Sequence, residues 1–258
     1  MSVKIKSARE IELMTEAGRI LGEVHRELGK GIRPGMSTAD IDHLGEEIIR
    51  SYGCTPSFLG YNGYPASICV SVNEEVVHGI PDRHRIIREG DIVSLDAGVI
   101  YKGYHSDAAR THILGDAGEE VRKLVEVTRK SFFEGMKYAK EGYHLYDISR
   151  AIGTYAGYFG YGVVRELCGH GIGTKLHEDP QIPNFAMPRR GLRLKAGMTL
   201  AVEPMINLGT ADVKWMRDGW TVVTKDRKPS AHYENTILIT EGEPKILTLS
   251  EEEGKEET

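Results

Sequence analysis

The spacing of apolar positions switches between helical and strand periods along the chain. From Ser7, the residues Ile11, Met14, Gly18, Leu21, Val24 and Leu28 recur at the interval of one helical face. Ser7 and Glu10 have the spacing of a capping box, in which the serine accepts from a free backbone N–H and the glutamate reaches back. Gly29, Gly31 and Pro34-Gly35 stop this helix. A second helix opens at Ser37 and carries Ile41, Leu44, Ile48 and Ile49 before Gly53. Residues 68–72, 92–100 and 104–113 then read as strands, the last two joined by a short turn near Lys102-Gly103. Helices over roughly residues 117–139 and 147–158 follow, then strands at 199–206, 220–224 and 233–239. Two helices followed by strands, twice over, predict an α+β fold. Helices pack on a curved, mostly antiparallel sheet whose halves share a shape but no letter-level repeat. Residues 1–249 read as one domain, and the charged residues 250–258 as a disordered tail.

Composition narrows the function classes. The chain has 258 residues, a formal net charge of −5 and a pI near 6.1, which argues against a scaffold for nucleic-acid phosphates. No apolar run reaches the roughly 18 residues of a membrane span, and the residues after Met1 lack an apolar secretory segment. Cys54, Cys69 and Cys168 form no Cys-x-x-Cys pair. An odd count without pairing fits reduced thiols in a cytoplasm, with Cys54 and Cys168 as small apolar fillers. No glycine-rich phosphate loop opens a helix after a strand.

The candidate chemistry lies in acidic residues where strands read as buried. Asp is disfavoured in strands, yet Asp96 interrupts the apolar run 92–100 and Asp107 lies in the returning strand. A turn centred between Tyr101 and Lys102 sets these two face to face, with Cβ atoms about 5 Å apart. Facing carboxylates in an apolar setting repel, so one takes a proton or a cation sits between them. Glu203 lies in a second apolar strand and Glu234 at the start of a third. His170 stands between Gly169 and Gly171, which permit close approach by another group. Each has a plainer reading alone: solvated edge aspartates, a loop histidine, glutamates paired with arginines. Together the five can hold two metals roughly 3.5–4 Å apart.

Through these residues the sequence resembles type I methionine aminopeptidases of the pita-bread superfamily. The likeness runs from about Ile5 to Leu249, on His78-Gly79-Ile80-Pro81, Asp96-Ala97-Gly98, Ser106-Asp107, Gly169-His170-Gly171-Ile172-Gly173, His177-Glu178, Glu203-Pro204 and Glu234-Asn235-Thr236. The resemblance implies a pita-bread fold with pseudo-twofold halves and two divalent ions, cobalt, manganese, iron or zinc. Asp107 and Glu234 would bridge the ions, Asp96 would chelate one, and His170 and Glu203 would hold the other. It implies that His78 and His177 bind substrate and assist catalysis without ligating, that Glu203 moves protons, and that a water bridging the ions attacks. Phe58, Tyr61, Tyr64, Cys69, Leu176 and Trp220 match a methionine pocket, although some relatives carry Cys at the position of Phe58 and an aromatic at that of Leu176.

Further expectations follow from the likeness. The substrate is the free N-terminus of a nascent chain or peptide beginning with Met and followed by a small residue, met near the ribosome. No membrane or specific nucleic acid is involved, and nothing demands more than a monomer. Backbone carbonyls near Asn73 and Ser230 could hold a monovalent cation, as in some relatives. The zinc-binding N-terminal extension and the long insertion of type II relatives are not expected. The rival reading is a proline-specific peptidase of the same superfamily, which usually carries an extra N-terminal domain; about ninety residues precede Asp96 here. A binding protein that has lost catalysis would lack some of these ligands or histidines.

Overall fold

The structure is a computed structural model that describes residues 3–256. The expected capping box forms, and the second helix start carries another. Ser7 and Glu10 start helix α1 (Ala8–Gly31), and Ser37 with Asp40 starts α2 (Thr38–Ser51). Helices α3 (Glu119–Met136) and α4 (Leu145–Tyr158) form the second pair.

The helix pairs cover a nine-stranded sheet. Its first half holds β1 (Ile68–Val72), β2 (Ile92–Tyr101) and β3 (Tyr104–Ile113), with β2 between the other two. Its second half holds β4 (Gly169–Gly171), β5 (Glu178–Ile182), β6 (Thr199–Val202) and β7 (Glu234–Leu238). These run in the order β7, β6, β4, β5, and β7 pairs with β3 to join the halves. The pairings recorded in this sheet are antiparallel. Leu21, Val24 and Leu28 of α1 pack with Val93 and Leu95 of β2 in one core, while Phe132, Ile148 and Ile152 pack with Leu200 and Ile237 in another. Each such fully buried side chain contributes about 1.5–3 kcal/mol; a third cluster packs Met14, Phe58, Tyr64 and Cys69 of the first half with Ile172, Leu176 and Leu238 of the second, beside the seam of β3 and β7.

Three expectations need correction. The β2–β3 turn is centred on Lys102-Gly103, whose φ angles of 47° and 85° fit a two-residue hairpin turn with both central residues left-handed. Asp96 therefore pairs with Ala109, and Asp107 with Gly98. The shift is two residues, and side chains alternate with period two, so both aspartates keep the same face. The strand expected over 199–206 is broken at Glu203-Pro204 and resumes at Met205–Asn207; Pro204 has no N–H to offer a ladder. The tail expected to be disordered carries helix α5 (Glu251–Glu256), and Glu257 and Thr258 lie outside the described residues. Ser250 and Glu253 form another capping box, and Glu253 bonds Arg110 of β3 at 2.7 Å.

Candidate metal centre and adjoining pocket

Strand register builds the centre. Cys69 pairs with Asp96, Asp96 with Ala109, and Ala109 with Glu234, so one row crosses four strands. Ala109 leaves room between the two carboxylates. Asp107, two residues from Ala109 on β3, stands opposite Gly98, which offers no side chain to crowd it. A Cβ at Gly98 would lie 3.0 Å from Phe58 Cε1, so Gly98 also seats a wall of the pocket. Thr236 Oγ1 accepts from the Asp107 N–H and donates to the Asp107 carbonyl, each at 2.9 Å. His170 is in strand β4 rather than a loop. Its flanking glycines are needed because Cβ atoms there would meet Ala201 O at 2.3 Å and Asp179 O at 2.1 Å.

His170 Nε2 lies 3.7 Å from Asp107 Oδ2 and 3.8 Å from Glu203 Oε1. These separations exceed hydrogen bonds and suit ligands around a shared cation. The His170 Nδ1 is 2.9 Å from Gly171 O, which leaves the Nε2 lone pair for a metal. Asp96 Oδ1, Asp107 Oδ1 and Glu234 Oε1 are buried without hydrogen-bond partners. Ligand atoms of Asp107, His170 and Glu234 lie within 4.8 Å of one another, as do those of Glu203, His232 and Glu234. The two groups share Glu234. Orphaned buried carboxylate oxygens around imidazole nitrogens fit divalent cations.

The electrostatics agree. Burial and then the neighbouring Asp107 push the Asp96 and Glu234 carboxyls well above the usual carboxylate range, and burial raises Asp107 as well. Burial pulls His170 down, but Asp107 and Glu203 outweigh it and its pKa is raised. A cation would offset both the burial and the repulsion that raise these carboxyls.

The carboxylates form one end of a cavity of about 420 Å³. The five residues read as ligands, together with His78, His177, Phe58, Tyr61, Tyr64, Cys69, Leu176 and Trp220, all line it, and Asn62 and Gln181 complete the wall. Tyr64 meets Trp220 edge-on, and Trp220 meets His78 edge-on. The Cys69 thiol is pushed well up by burial and then by Asp96, so it is a neutral, polarizable wall. His177 is at the exposed rim, its ring centroid 4.1 Å from that of His170, and its Nδ1 is 2.7 Å from Tyr61 Oη. Desolvation and then His170 hold the His177 pKa at about 3; burial and then His232 hold His78 at about 4. Both imidazoles are neutral at pH 7. The residues suggested for a monovalent cation lie together, with Ser230 N–H donating to Asn73 O at 2.9 Å.

The sequence assigns no role to His232 or Gln181, and Thr236 enters it only as part of the Glu234-Asn235-Thr236 stretch. His232 was legible, since it precedes Glu234 by two residues and so shares its face of an extended chain. Gln181 became visible only through its pairing with His170 across β4 and β5.

A buried set of carboxylates and imidazoles opening onto an apolar cavity in this pita-bread fold defines a metal-dependent hydrolase. The model of the metallopeptidase family M24 matches residues 12–241. The chain is 53% identical over 247 residues to a methionine aminopeptidase of Clostridium acetobutylicum, covering 96% of this chain and 99% of that protein. A crystal structure of methionine aminopeptidase from Thermotoga maritima superposes with a TM-score of 0.94 at 45% identity, covering 96% and 100% of the two chains. An Xaa-Pro dipeptidase from Bacillus anthracis gives a TM-score of 0.76 at 26% identity, and there this chain covers only 62% of the other. The chain thus belongs to metallopeptidase family M24 and, within it, to the methionine aminopeptidases. Among the described residues, no helix is long and apolar enough to cross a membrane.

Proposed function

We propose that this chain removes the initiator methionine from new polypeptides in the cytoplasm, acting as a monomer with two divalent ions, and prefers a small second residue. The observation that carries the reading is one cavity shared by orphaned carboxylates and a sulfur-compatible apolar wall. Asp96, Asp107, His170, Glu203 and Glu234 would hold the ions. When bound, such ions acidify water and polarise a carbonyl oxygen.

The chain's own groups supply the rest. Phe58, Tyr61, Tyr64, Cys69, Leu176 and Trp220 take the thioether, an unbranched apolar group that suits aromatic edges and a thiol. The carboxylate end receives the free α-amine. His177 Nδ1 and Tyr61 Oη share a hydrogen bond of 2.7 Å; with the Tyr61 O–H as its donor, the proton of neutral His177 would be on Nε2, ready to donate to the substrate carbonyl as negative charge builds there. His78, held neutral beside Trp220, hydrogen-bonds the peptide backbone. Glu203 accepts the proton of the attacking water and returns it to the leaving amine. His177 at the rim leaves little room for a large second side chain.

The test is turnover by metal-stripped protein, with Co, Mn, Fe or Zn ions added singly, on Met-Gly-Met and on an X-Pro peptide. Release of methionine from the first alone, with two ions bound per chain at saturation, is the expected result. Cleavage of the X-Pro peptide alone would overturn the reading in favour of a proline-specific peptidase.

A further inference from the structure

His232 has no role in the scheme above, yet it is 1% exposed and faces the centre. Its Nε2 lies 3.6 Å from Glu203 Oε2 and 3.9 Å from Glu234 Oε2. Glu203 is therefore bracketed by two imidazoles, with Oε1 towards His170 and Oε2 towards His232. The two rings differ at their other nitrogen. His170 Nδ1 faces the Gly171 carbonyl at 2.9 Å, as a metal-binding imidazole requires. Neither nitrogen of His232 has a hydrogen-bond partner, but Nε2 has carboxylate oxygens of Glu203 and Glu234 within 4 Å, while no ion pair involves Nδ1. A tautomer with its proton on Nδ1 would bury an N–H with no acceptor in reach. A lone pair left unmatched is tolerated better than an orphaned N–H, so the proton belongs on Nε2, aimed at Glu203.

Glu203 needs such a partner. It lies in the break between β6 and Met205–Asn207, where no ladder holds the chain. Asn184 Nδ2 anchors its backbone carbonyl at 2.9 Å. Among the described residues, His170 and His232 are the basic groups within 4 Å of its carboxylate. The 3.6 Å gap to His232 exceeds a usual hydrogen bond by about 0.7 Å, so the bond requires Glu203 and His232 to draw together by that amount.

We propose that His232 is a positioning residue: it donates Nε2–H to Glu203 Oε2 and so keeps Oε1 turned towards His170. This deepens the proposed function and rests on Glu203 acting as ligand and proton acceptor.

The tautomer can be read on the native chain. In protein labelled with 15N-histidine, His232 should be the Nε2–H form both without metal and with Co2+ bound. A proton on Nδ1, or loss of the Nε2 proton when Co2+ binds, would make His232 a ligand and end the proposal. Two variants give the functional arm. His232→Met removes the donor, and should lower kcat and Co2+ affinity by about 10-fold or more, with the KM for Met-Gly-Met within about two-fold. His232→Gln, which keeps an amide donor, should recover kcat to within about three-fold of the native value. Full activity in the Met variant, or equal losses in both folded variants, would overturn the proposal. If the Met variant does not fold, the tautomer measurement decides. His170→Ala separates this from the underlying reading: undiminished Co2+ binding there would break the metal assignment itself, whatever His232 does.

Discussion

Strands β3 and β7 present opposite electrostatics on their two faces. On the front, Asp107 and Glu234 have buried oxygens with no partner. On the back, Arg110 is 6% exposed and satisfied. Its guanidinium donates to the carbonyls of Ala109, Glu234 and Thr248, to Asn235 Oδ1 and to Glu253, while its plane lies 4.6 Å from the centroid of Tyr233. The alternation of a single strand thus separates a charge that is paid for at home from charges that await a ligand. Buried charge is informative by its partners: a complete set marks architecture, and a missing set marks a site. The two faces are also coupled, because Arg110 grips the backbone of Glu234.

The largest expected effect breaks the front. Asp107→Asn and Glu234→Gln should each lose tight metal binding and at least about 10³-fold in kcat/KM, roughly 4 kcal/mol. Without metal the same variants should melt no lower than the native protein, since each removes a buried like-charge repulsion. A variant that lost stability without metal but kept turnover would reverse the assignment. The back should behave oppositely. Arg110→Met leaves Glu253 and several carbonyls without their donor, and breaking a buried pair in this way costs about 3–5 kcal/mol. Denaturant titration would show that loss with or without metal; an unchanged midpoint would show that the pairing on the back is ornamental.

The front was more legible in the sequence than the back, for a physical reason. Asp96 and Glu234 stand out because an apolar strand has no ordinary use for a carboxylate. The register of β2 and β3 differs from expectation by two residues because the turn near Lys102-Gly103 is centred on those two left-handed residues rather than between Tyr101 and Lys102, and a shift of two preserves the face. Arg110 was invisible because its partners come from Thr248, Asn235 and Glu253, far along the chain. The helix at Glu251–Glu256 is masked in the sequence by the charge of the tail, although Ser250 and Glu253 repeat the spacing that starts α1. Break points such as Glu203-Pro204 depend on where neighbouring strands end, which spacing alone does not reveal.

A smaller effect sharpens the front. His177→Ala removes the proposed donor to the carbonyl while touching no proposed ligand, so kcat should fall about 10²-fold with Co2+ affinity within about two-fold. Steady-state kinetics with calorimetric metal titration would check it. A loss of metal equal to the loss of turnover would make His177 part of the cation site instead.

The smallest effect separates the faces by the sign of their response to pH. The cavity behind the strands, about 330 Å³, is lined by His25, His112, Arg110 and Glu253 among others. Burial, and then Arg110, hold His25 at a pKa of about 3 and His112 at about 4. An unfolded histidine titrates near 6.5, so as pH falls the unfolded chain takes up these protons first. Their contribution to stability is whole above about pH 6.5 and is lost below it, at about 1.4 kcal/mol per pH unit for each group. Burial raises Glu253, but Arg110 outweighs it and holds its pKa at about 2, so its contribution is present above roughly pH 4.5 and lost towards pH 2. The front works the other way. Asp96 and Glu234 have raised pKa values, so in metal-free protein the folded state holds their protons more tightly, and lowering the pH through the folded values relieves it. Metal-free protein titrated with urea from pH 7 to 5 should therefore lose less stability than the two imidazoles alone dictate. His25→Leu should flatten the acid slope by about 1.4 kcal/mol per pH unit, and Glu234→Gln should steepen it. Identical slopes in both variants would mean that the unpartnered charges in front and the neutral imidazoles behind do not govern the stability of this fold.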